Sequence, residues 1–335
     1  MTEQSHHPDI VVLGASAGGV SALSSIVQAL PRNLPAAIFV VLHVHPASKS
    51  VLAPLLARTS GMKVETSVDG QPIEHGHIYI APPDHHLTVE ADTVRVTYGP
   101  LQNRHRPSID VLFRSAAMAY GPRVIGVVLT GFLSDGTVGL AAIKDLGGIS
   151  VVQDPKTAAY PDMPDSALRS VKVDHCVSLE EIPDLIVRLC ARARPARPVD
   201  QDLLNAHRFE SDADQGHVHD LDKFTKPSAF LCPDCGGALW ELKAGMPRFR
   251  CRVGHSYSLT ELTASQQAQV ETALWAATHS LEDNAELNHR LAEQWRERDF
   301  SSELAEQFQR KGEKSEQHAA TLRDLLGVKK QIAAT

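Results

Sequence analysis

The sequence predicts an α/β fold, a doubly wound and mostly parallel sheet with an inserted antiparallel hairpin, followed by a small Cys/His ribbon and a helical hairpin. Three observations lead there. Short all-apolar runs alternate with helical patterns as far as about residue 190, as in a sheet covered by helices on both faces. Glycine-containing turns follow two of those runs. Beyond them the composition changes, first to an Arg/Ala/Pro and Asp/His stretch, then to a cysteine cluster, then to long helical periodicity.

Ile10 to Leu13 is short, β-branched and flanked by polar residues, which predicts a buried strand. Gly14-Ala15-Ser16-Ala17-Gly18-Gly19 comes next, and Val20, Leu23, Ile26, Val27 and Leu30 then fall on one helical face. The hexapeptide is therefore a strand-to-helix turn. Ala37 to Leu42 predicts a second strand, ending in His43, and Val51 to Thr59 a helix. Lys63 to Tyr98 contains short alternating runs, His77 to Ile80 and Thr93 to Val96 among them, expected as antiparallel strands inserted in the sheet. Ile125 to Leu129 and Ile149 to Val152 predict two more buried strands.

The chain has 335 residues and a net charge of −7, enough for one large domain with one or two small ones and no sign of a nucleic-acid binder. No basic-then-apolar leader and no run of bilayer-spanning length occurs, so a cytoplasmic protein without direct membrane insertion is expected. Of the five cysteines, Cys232, Cys235 and Cys251 cluster with His255, whereas Cys190 reads as a plain helix-face residue.

In open α/β sheets ligands bind outside the carboxyl ends of the strands. Here those ends carry Ser16, His43 and the turn Thr130-Gly131-Phe132-Leu133-Ser134-Asp135-Gly136. A hydroxyl, an imidazole and a carboxylate converging there would suit acyl transfer, with the histidine as base and the aspartate orienting it. A Gly-x-Ser-x-Gly elbow exposes such a serine. A Rossmann-type dinucleotide turn would instead want Gly in place of Ser16 and an acid at the end of the second strand, where His43 stands. Other roles compete: Asp135 as a cap for the following helix, His45 as the base, and Asn103 to Ser108 as a solvated basic turn or a carboxylate-recognising rim.

Several motifs together carry a resemblance: Gly14 to Gly19; Ile38 to Pro46 with its histidine; Tyr79-Ile80-Ala81-Pro82-Pro83-Asp84; Asn103 to Phe113; and Leu129 to Gly136. In this order they resemble the catalytic domain of the chemotaxis receptor methylesterases of the CheB type, over roughly residues 8–190. The resemblance implies hydrolysis of glutamyl methyl esters on chemoreceptors, and deamidation of receptor glutamines, without a cofactor. It matches Ser16 to the nucleophile, His43 to the base and Asp135 to the acid, and it places an oxyanion donor at Phe132, beside Gly131. Ala17 stands where Thr is common, and His45 where the family has Pro. Arg104 and Arg106 are expected to contact the product carboxylate. Many relatives carry a receiver domain ahead of the catalytic one, and none is expected here.

Residues 191–228 read as a linker, including His207, His217 and His219 as solvated residues. Residues 229–258 read as a zinc ribbon, in which Cys232, Cys235, Cys251 and His255 supply four soft ligands, a closed structural set. In residues 259–327, Val270, Leu274, Ala277, Leu281, Leu291 and Trp295, then Leu304, Phe308, Leu322 and Leu326, predict an antiparallel helical pair with a break near Asp299 to Ser301. Such a pair either packs on the ribbon or binds a helical partner, such as a methyl-accepting receptor. The alternative to an esterase is a non-catalytic binding or regulatory module built on this zinc-helix region. A fragment ending near Ala193 is expected to fold alone, with the ribbon independent of ester chemistry.

Overall fold

The computed structural model describes residues 5–195, 201–214, 221–243, 245–297 and 302–332. It falls into two compact units, Met1–Leu262 and Thr263–Thr335. Among the described residues no helix is long and apolar enough to cross a membrane.

The first unit is organised by β1 (Ile10–Ala15), in which every residue is buried. Its side chains alternate between two apolar layers. Val11 and Leu13 pack into one with α1 (Gly19–Ala29), α2 (Leu52–Ala57) and α6 (Ile182–Cys190). Ile10 and Val12 pack into the other with α3 (Ile109–Tyr120), α4 (Thr137–Asp145) and α5 (Asp162–Ser170). Covered faces on both sides explain why the strand sequences are apolar runs rather than alternations.

The strands β2 (Ala37–Leu42), β3 (Lys63–Thr66), β4 (His77–Ile80), β7 (Val124–Val128), β8 (Ile149–Gln153) and β9 (His175–Val177) join β1 in the order β9-β8-β7-β1-β2-β4-β3. Every pairing in this sheet is parallel. The antiparallel expectation for Lys63 to Tyr98 therefore holds only for β5 (His86–Glu90) and β6 (Thr93–Thr97), a separate hairpin on the α3 side. His77–Ile80 instead enters the main sheet, since Ile78, Tyr79 and Ile80 are buried on both faces. Chain order reverses between β1 and β7, so the crevice beyond their carboxyl ends is the topological switch point where such sheets bind ligands.

The expected linker is largely structured where it is described. It contains α7 (Gln201–Asp214), whose Ala206, His207, Phe209 and Glu210 are buried. Glu210 takes Arg114 of α3 on one oxygen at 3.4 Å and Arg248 on the other at 3.0 Å, and His207 Nε2 lies 3.1 Å from Asp145. His207 is thus buried and hydrogen-bonded to Asp145 rather than solvated. His217 and His219 lie outside the described residues. Burial of Glu210 is tolerated because two arginines distant in sequence pair with it.

A four-stranded antiparallel meander follows: β10 (Thr225–Leu231), β11 (Ala238–Leu242), β12 (Arg248–Cys251) and β13 (Ser256–Ser258). It begins a few residues before the expected boundary, and the first turn of α8 (Leu259–Glu297) belongs to the same unit.

The second unit pairs the remainder of α8 with α9 (Ser302–Ile332), antiparallel, through His289–Glu316 at 3.2 Å, Ser315–Asn284 at 3.0 Å and Arg323–Glu282. The expected break near Asp299 to Ser301 lies outside the described residues. The buried seam runs at seven-residue spacing, with the small residues Ala285 and Ala292 against Ala305, Gly312 and Ala319, and Leu326 one repeat further on. Val270, Ala277, Leu291 and Leu304, expected on that face, are exposed. Small side chains let two helices approach closely, and a seven-residue repeat keeps them on one seam.

Candidate active site and metal knuckle

Ser16 follows β1 directly, in the turn before α1. Gly14 permits the arrangement, since a Cβ there would lie 2.2 Å from Ile109 Cγ2, at the first residue of α3. The strand end and the N-terminus of α3 are in consequence pressed together. Gly131 is forced by the same crowding, because its Cβ would stand 2.7 Å from Ser16 Cβ and 2.1 Å from Met163 Sδ.

His43 Nδ1 lies 3.2 Å from Ser16 Oγ, and its Nε2 lies 2.8 Å from Asp135 Oδ2. With the ring proton on Nε2 donated to the carboxylate, Nδ1 is left to accept from the serine hydroxyl. His45 is exposed in the next turn, where its Nδ1 accepts from Ala47 N–H. Ser16, His43 and Asp135 are brought together; His45 is not.

Asp135 is fully buried, yet it does not cap the helix that follows it. It accepts from Ile109 N–H at 2.7 Å and from Asp110 N–H at 3.3 Å, the open end of α3, and from Ser108 Oγ at 2.9 Å and Asn103 Nδ2 at 3.0 Å. Burial alone would raise its pKa. The hydrogen bond and charge of His43, the neighbouring His105 and the Asn103 amide outweigh burial and hold the carboxyl well below the usual range. Asp110 is its counterpart: burial and the charge of Asp135 push it up to about 8. One Asn103 nitrogen serves both, 2.8 Å from Asp110 Oδ2. Two adjacent carboxyls with opposed environments leave a single negative charge to match the base.

The segment Asn103 to Ser108 is therefore inside the site rather than a solvated turn. Asn103 and Ser108 are buried, and His105 stacks on the His43 ring with centroids 3.6 Å apart. Burial and the proximity of His43 push His105 down to about 3, which keeps it a neutral lid on one face of His43. Arg106, expected as a substrate contact, is engaged within the chain: it donates to Asp84 at 2.8 and 3.0 Å and to Gly99 O at 2.8 Å, and stacks on Tyr98. Arg104 is exposed at the rim. Gly131 N–H is occupied by Tyr160 O at 3.0 Å, so Gly131 is a packing residue of the turn and not an oxyanion donor. Phe132 N–H has no partner among the described residues, and its exposed ring packs on Tyr160.

Sequence reasoning singled out the segment Asn103 to Ser108 as a possible rim but gave Asn103, His105 and Ser108 no role of their own. Their signal was present in a polar segment immediately ahead of a helix whose N-terminal N–H groups need an acceptor.

The ribbon abuts this corner. Asn103 N–H donates to Ser256 O at 2.7 Å, Ser258 N–H donates to Asn103 Oδ1 at 2.9 Å, and the hydroxyls of Ser134 and Ser258 are 2.9 Å apart. Glu261 accepts from Ser134 N–H at 3.2 Å; burial and the charge of Asp135 push its carboxyl up to about 8. These contacts run against the expectation of a ribbon independent of the catalytic domain.

At the far end of the ribbon, Cys232, Cys235, Cys251 and His255 place one ligand atom each within 4.8 Å of all the others. The Cys232 Sγ–His255 Nδ1, Cys251 Sγ–His255 Nδ1 and Cys235–Cys251 Sγ separations are 3.6, 3.6 and 3.7 Å. A tetrahedral ion with bonds of about 2.3 Å to sulfur and about 2.0 Å to nitrogen requires edges of ~3.5–3.8 Å, so the four residues fit one. Each ligand pair sits in a tight turn, closed by Gly236 N–H to Cys232 O at 2.8 Å and by Gly254 N–H to Cys251 O at 3.0 Å.

Residues 11–186 match the family model described as CheB methylesterase. A putative protein-glutamate methylesterase/protein-glutamine glutaminase of Leptospira interrogans is 41% identical over 182 residues, covering 54% of this chain and 94% of the relative. Its counterpart in Hydrogenovibrio crunogenus is 39% identical over 185 residues, covering 54% of this chain and 49% of that one. Among solved structures, the crystal structure of the Thermotoga maritima CheB methylesterase catalytic domain is similar with a TM-score of 0.53 and 34% identity, over 55% of this chain and all of that one. The chain thus belongs to the CheB methylesterase family, and its parallel sheet is the protein-glutamate methylesterase fold of that family.

Proposed function

We propose that this protein hydrolyses γ-glutamyl methyl esters of methyl-accepting chemotaxis receptors through a Ser16–His43–Asp135 triad, and deamidates receptor glutamines by the same route. The observation that carries this reading is the hydrogen-bonded line from Ser16 Oγ through both nitrogens of His43 to Asp135 at the switch point of the sheet. Ser16 Oγ attacks the ester carbonyl as its proton passes to His43 Nδ1, and the ionised Asp135 holds the imidazolium that results. The oxyanion forms beside Phe132 N–H and the positive end of α1, where one preorganised donor is worth roughly 3–4 kcal/mol. Collapse breaks the acyl C–O bond of the ester, with His43 returning the proton to the leaving oxygen as methanol, or the C–N bond of the amide, with the proton returned to the leaving nitrogen as ammonia. Water then adds to the glutamyl-enzyme with His43 again as base, releasing the carboxylate and restoring Ser16. Arg104, exposed and next in sequence to the buried Asn103, would meet that carboxylate.

The soft, tetrahedrally spaced ligands Cys232, Cys235, Cys251 and His255 hold a structural zinc in this reading. Bound zinc would supply the ribbon with a cross-link and would not touch the ester or the triad. The catalytic domain comprises residues 8–190.

The test is methanol release from methylated receptor by the full chain, together with labelling by a serine-directed fluorophosphonate. Labelling and methanol release both absent in Ser16→Ala support the triad; labelling that persists in that variant refutes it.

A further inference from the structure

We propose that the ribbon is a positioning element for the catalytic carboxylate: when its four ligands are joined by zinc it holds Asn103, and through Asn103 it holds Asp135, so turnover depends on a metal remote from the substrate. The inference rests on the triad reading above.

Asn103 is the joint. Its side-chain nitrogen donates to Asp135 and Asp110, while its side-chain oxygen and backbone N–H are both engaged by the ribbon, at Ser258 and Ser256. It is buried and held at φ +49°, a left-handed conformation that Asn tolerates better than other residues with a side chain, and it is contacted from both sides. The path to the ligands is short. Gln102 Nε2 donates to Gly254 O at 3.0 Å, inside the turn between Cys251 and His255, and Ser256 follows His255 directly. A second contact reaches the other side of Asp135, where Ser134 meets Ser258 and Glu261.

The ribbon depends on its ion because its own apolar cluster is only Cys232, Leu239, Phe249, Cys251, Tyr257 and Leu262. A core of that size does not order a domain unaided, and metal binding then becomes folding free energy. Losing the ion releases Ser256 and Ser258 from Asn103. A displacement of about 1 Å in a catalytic group is enough to lower turnover ~10²-fold.

The experiment uses the full chain, zinc-loaded, chelated and reloaded. Chelation is expected to lower kcat on a small glutamyl methyl ester ~10–100-fold with KM within about twofold, and zinc to restore it. Asn103→Ala, still holding zinc, is expected to be slow already and to lose less than about twofold more on chelation, the non-additivity of residues acting in one line. The amides of Ile109 and Asp110, which Asp135 caps, should exchange at least ~10-fold faster in the metal-free chain while those of β1 stay protected. This readout stands without esterase activity, so failure of the triad reading is separable from failure of the coupling. If chelation also exposes β1, Ser258→Pro decides: with zinc retained it removes the N–H offered to Asn103, and kcat should fall as it does on chelation. A metal-free chain with unchanged kcat and unchanged exchange at Ile109 and Asp110 overturns the proposal. So does an equal chelation penalty in Asn103→Ala and wild type, or full turnover in Ser258→Pro.

Discussion

The catalytic corner and the metal knuckle each gather polar groups around one charge, but they are assembled in opposite ways. His43 and Asp135 are 92 positions apart and Ser16 is 27 from His43, so only the sheet brings them together. Two thick apolar layers fix the strand ends, and the polar groups ride on them. In the knuckle, Cys251 and His255 are four positions apart and Cys232 and His255 are 23 apart, over an apolar cluster of six residues. There, in the proposed reading, the four ligands closed on an ion would hold the apolar groups in place. Where burial positions the chemistry, a polar residue can be removed and the scaffold stays; where ligands position the burial, it does not.

The sharpest probe of this contrast lies within the triad. Ser16→Ala and Asp135→Ala should each lower turnover by about 10⁴ or more. Their stabilities should part, because Ser16 can be truncated almost freely, whereas removing Asp135 strands the N–H groups of Ile109 and Asp110 together with Asn103 and Ser108. Unfolding in denaturant should show a loss of about 2–4 kcal/mol for Asp135→Ala and under ~0.5 kcal/mol for Ser16→Ala. An Asp135→Ala protein as stable as wild type would remove the carboxylate from its capping role.

The choice of base follows. His43→Gln should cost at least ~10³-fold in kcat/KM, whereas His45→Gln should stay within about threefold, since His45 meets only the Ala47 N–H in an exposed turn. The reverse ranking, measured on a soluble glutamyl ester, would displace His43.

Next comes the knuckle. Elemental analysis should find one zinc per chain and none in Cys251→Ala or His255→Ala. Thermal unfolding of those variants should separate into two transitions, the ribbon melting ahead of the sheet. A single unshifted transition would mean that the ribbon stands without its ion.

The smallest effect is a pH dependence. Glu261 is raised to about 8 from an ordinary 4.5, so between those values the native chain holds a proton that the unfolded chain has released. Stability carried by this group therefore falls as pH rises from about 4.5 to 8 and is level beyond. Its Oε2 is buried with no hydrogen-bond partner among the described residues, which fits a carboxyl kept neutral. Glu261→Gln should match wild type in Tm at pH 5 and exceed it by a few degrees (~2–4 °C) at pH 8. Asp135, depressed rather than raised, stabilises the fold throughout this window and loses that contribution only in strong acid. Equal pH slopes for wild type and Glu261→Gln would show that Glu261 is ionised.

Much of the scaffold was legible from residue pattern. Ile10 to Leu13, Ala37 to Leu42, Ile125 to Leu129 and Ile149 to Val152 are apolar on both faces, and that pattern admits few structures other than an internal parallel strand. The knuckle was legible for a different reason: its ligands lie close in sequence, so spacing alone encodes geometry. The 201–214 helix was not, because its buried Glu210 and His207 look solvent-loving until Arg114, Arg248 and Asp145 are seen beside them.

The sequence by itself determined the strand ends, because local apolar pattern suffices for that, and so put Ser16, His43 and the turn holding Asp135 at carboxyl ends of strands; the choice of His43 over His45 and of Asp135 over a cap came from the family resemblance. Only the tertiary structure decided what surrounds these residues. Arg106 is consumed by Asp84 and Gly99, Gly131 by Tyr160, and Asn103 faces inward to join Asp135 to the ribbon. Whether a polar group faces water, substrate or another buried group depends on partners far away in the chain, and no local pattern records them.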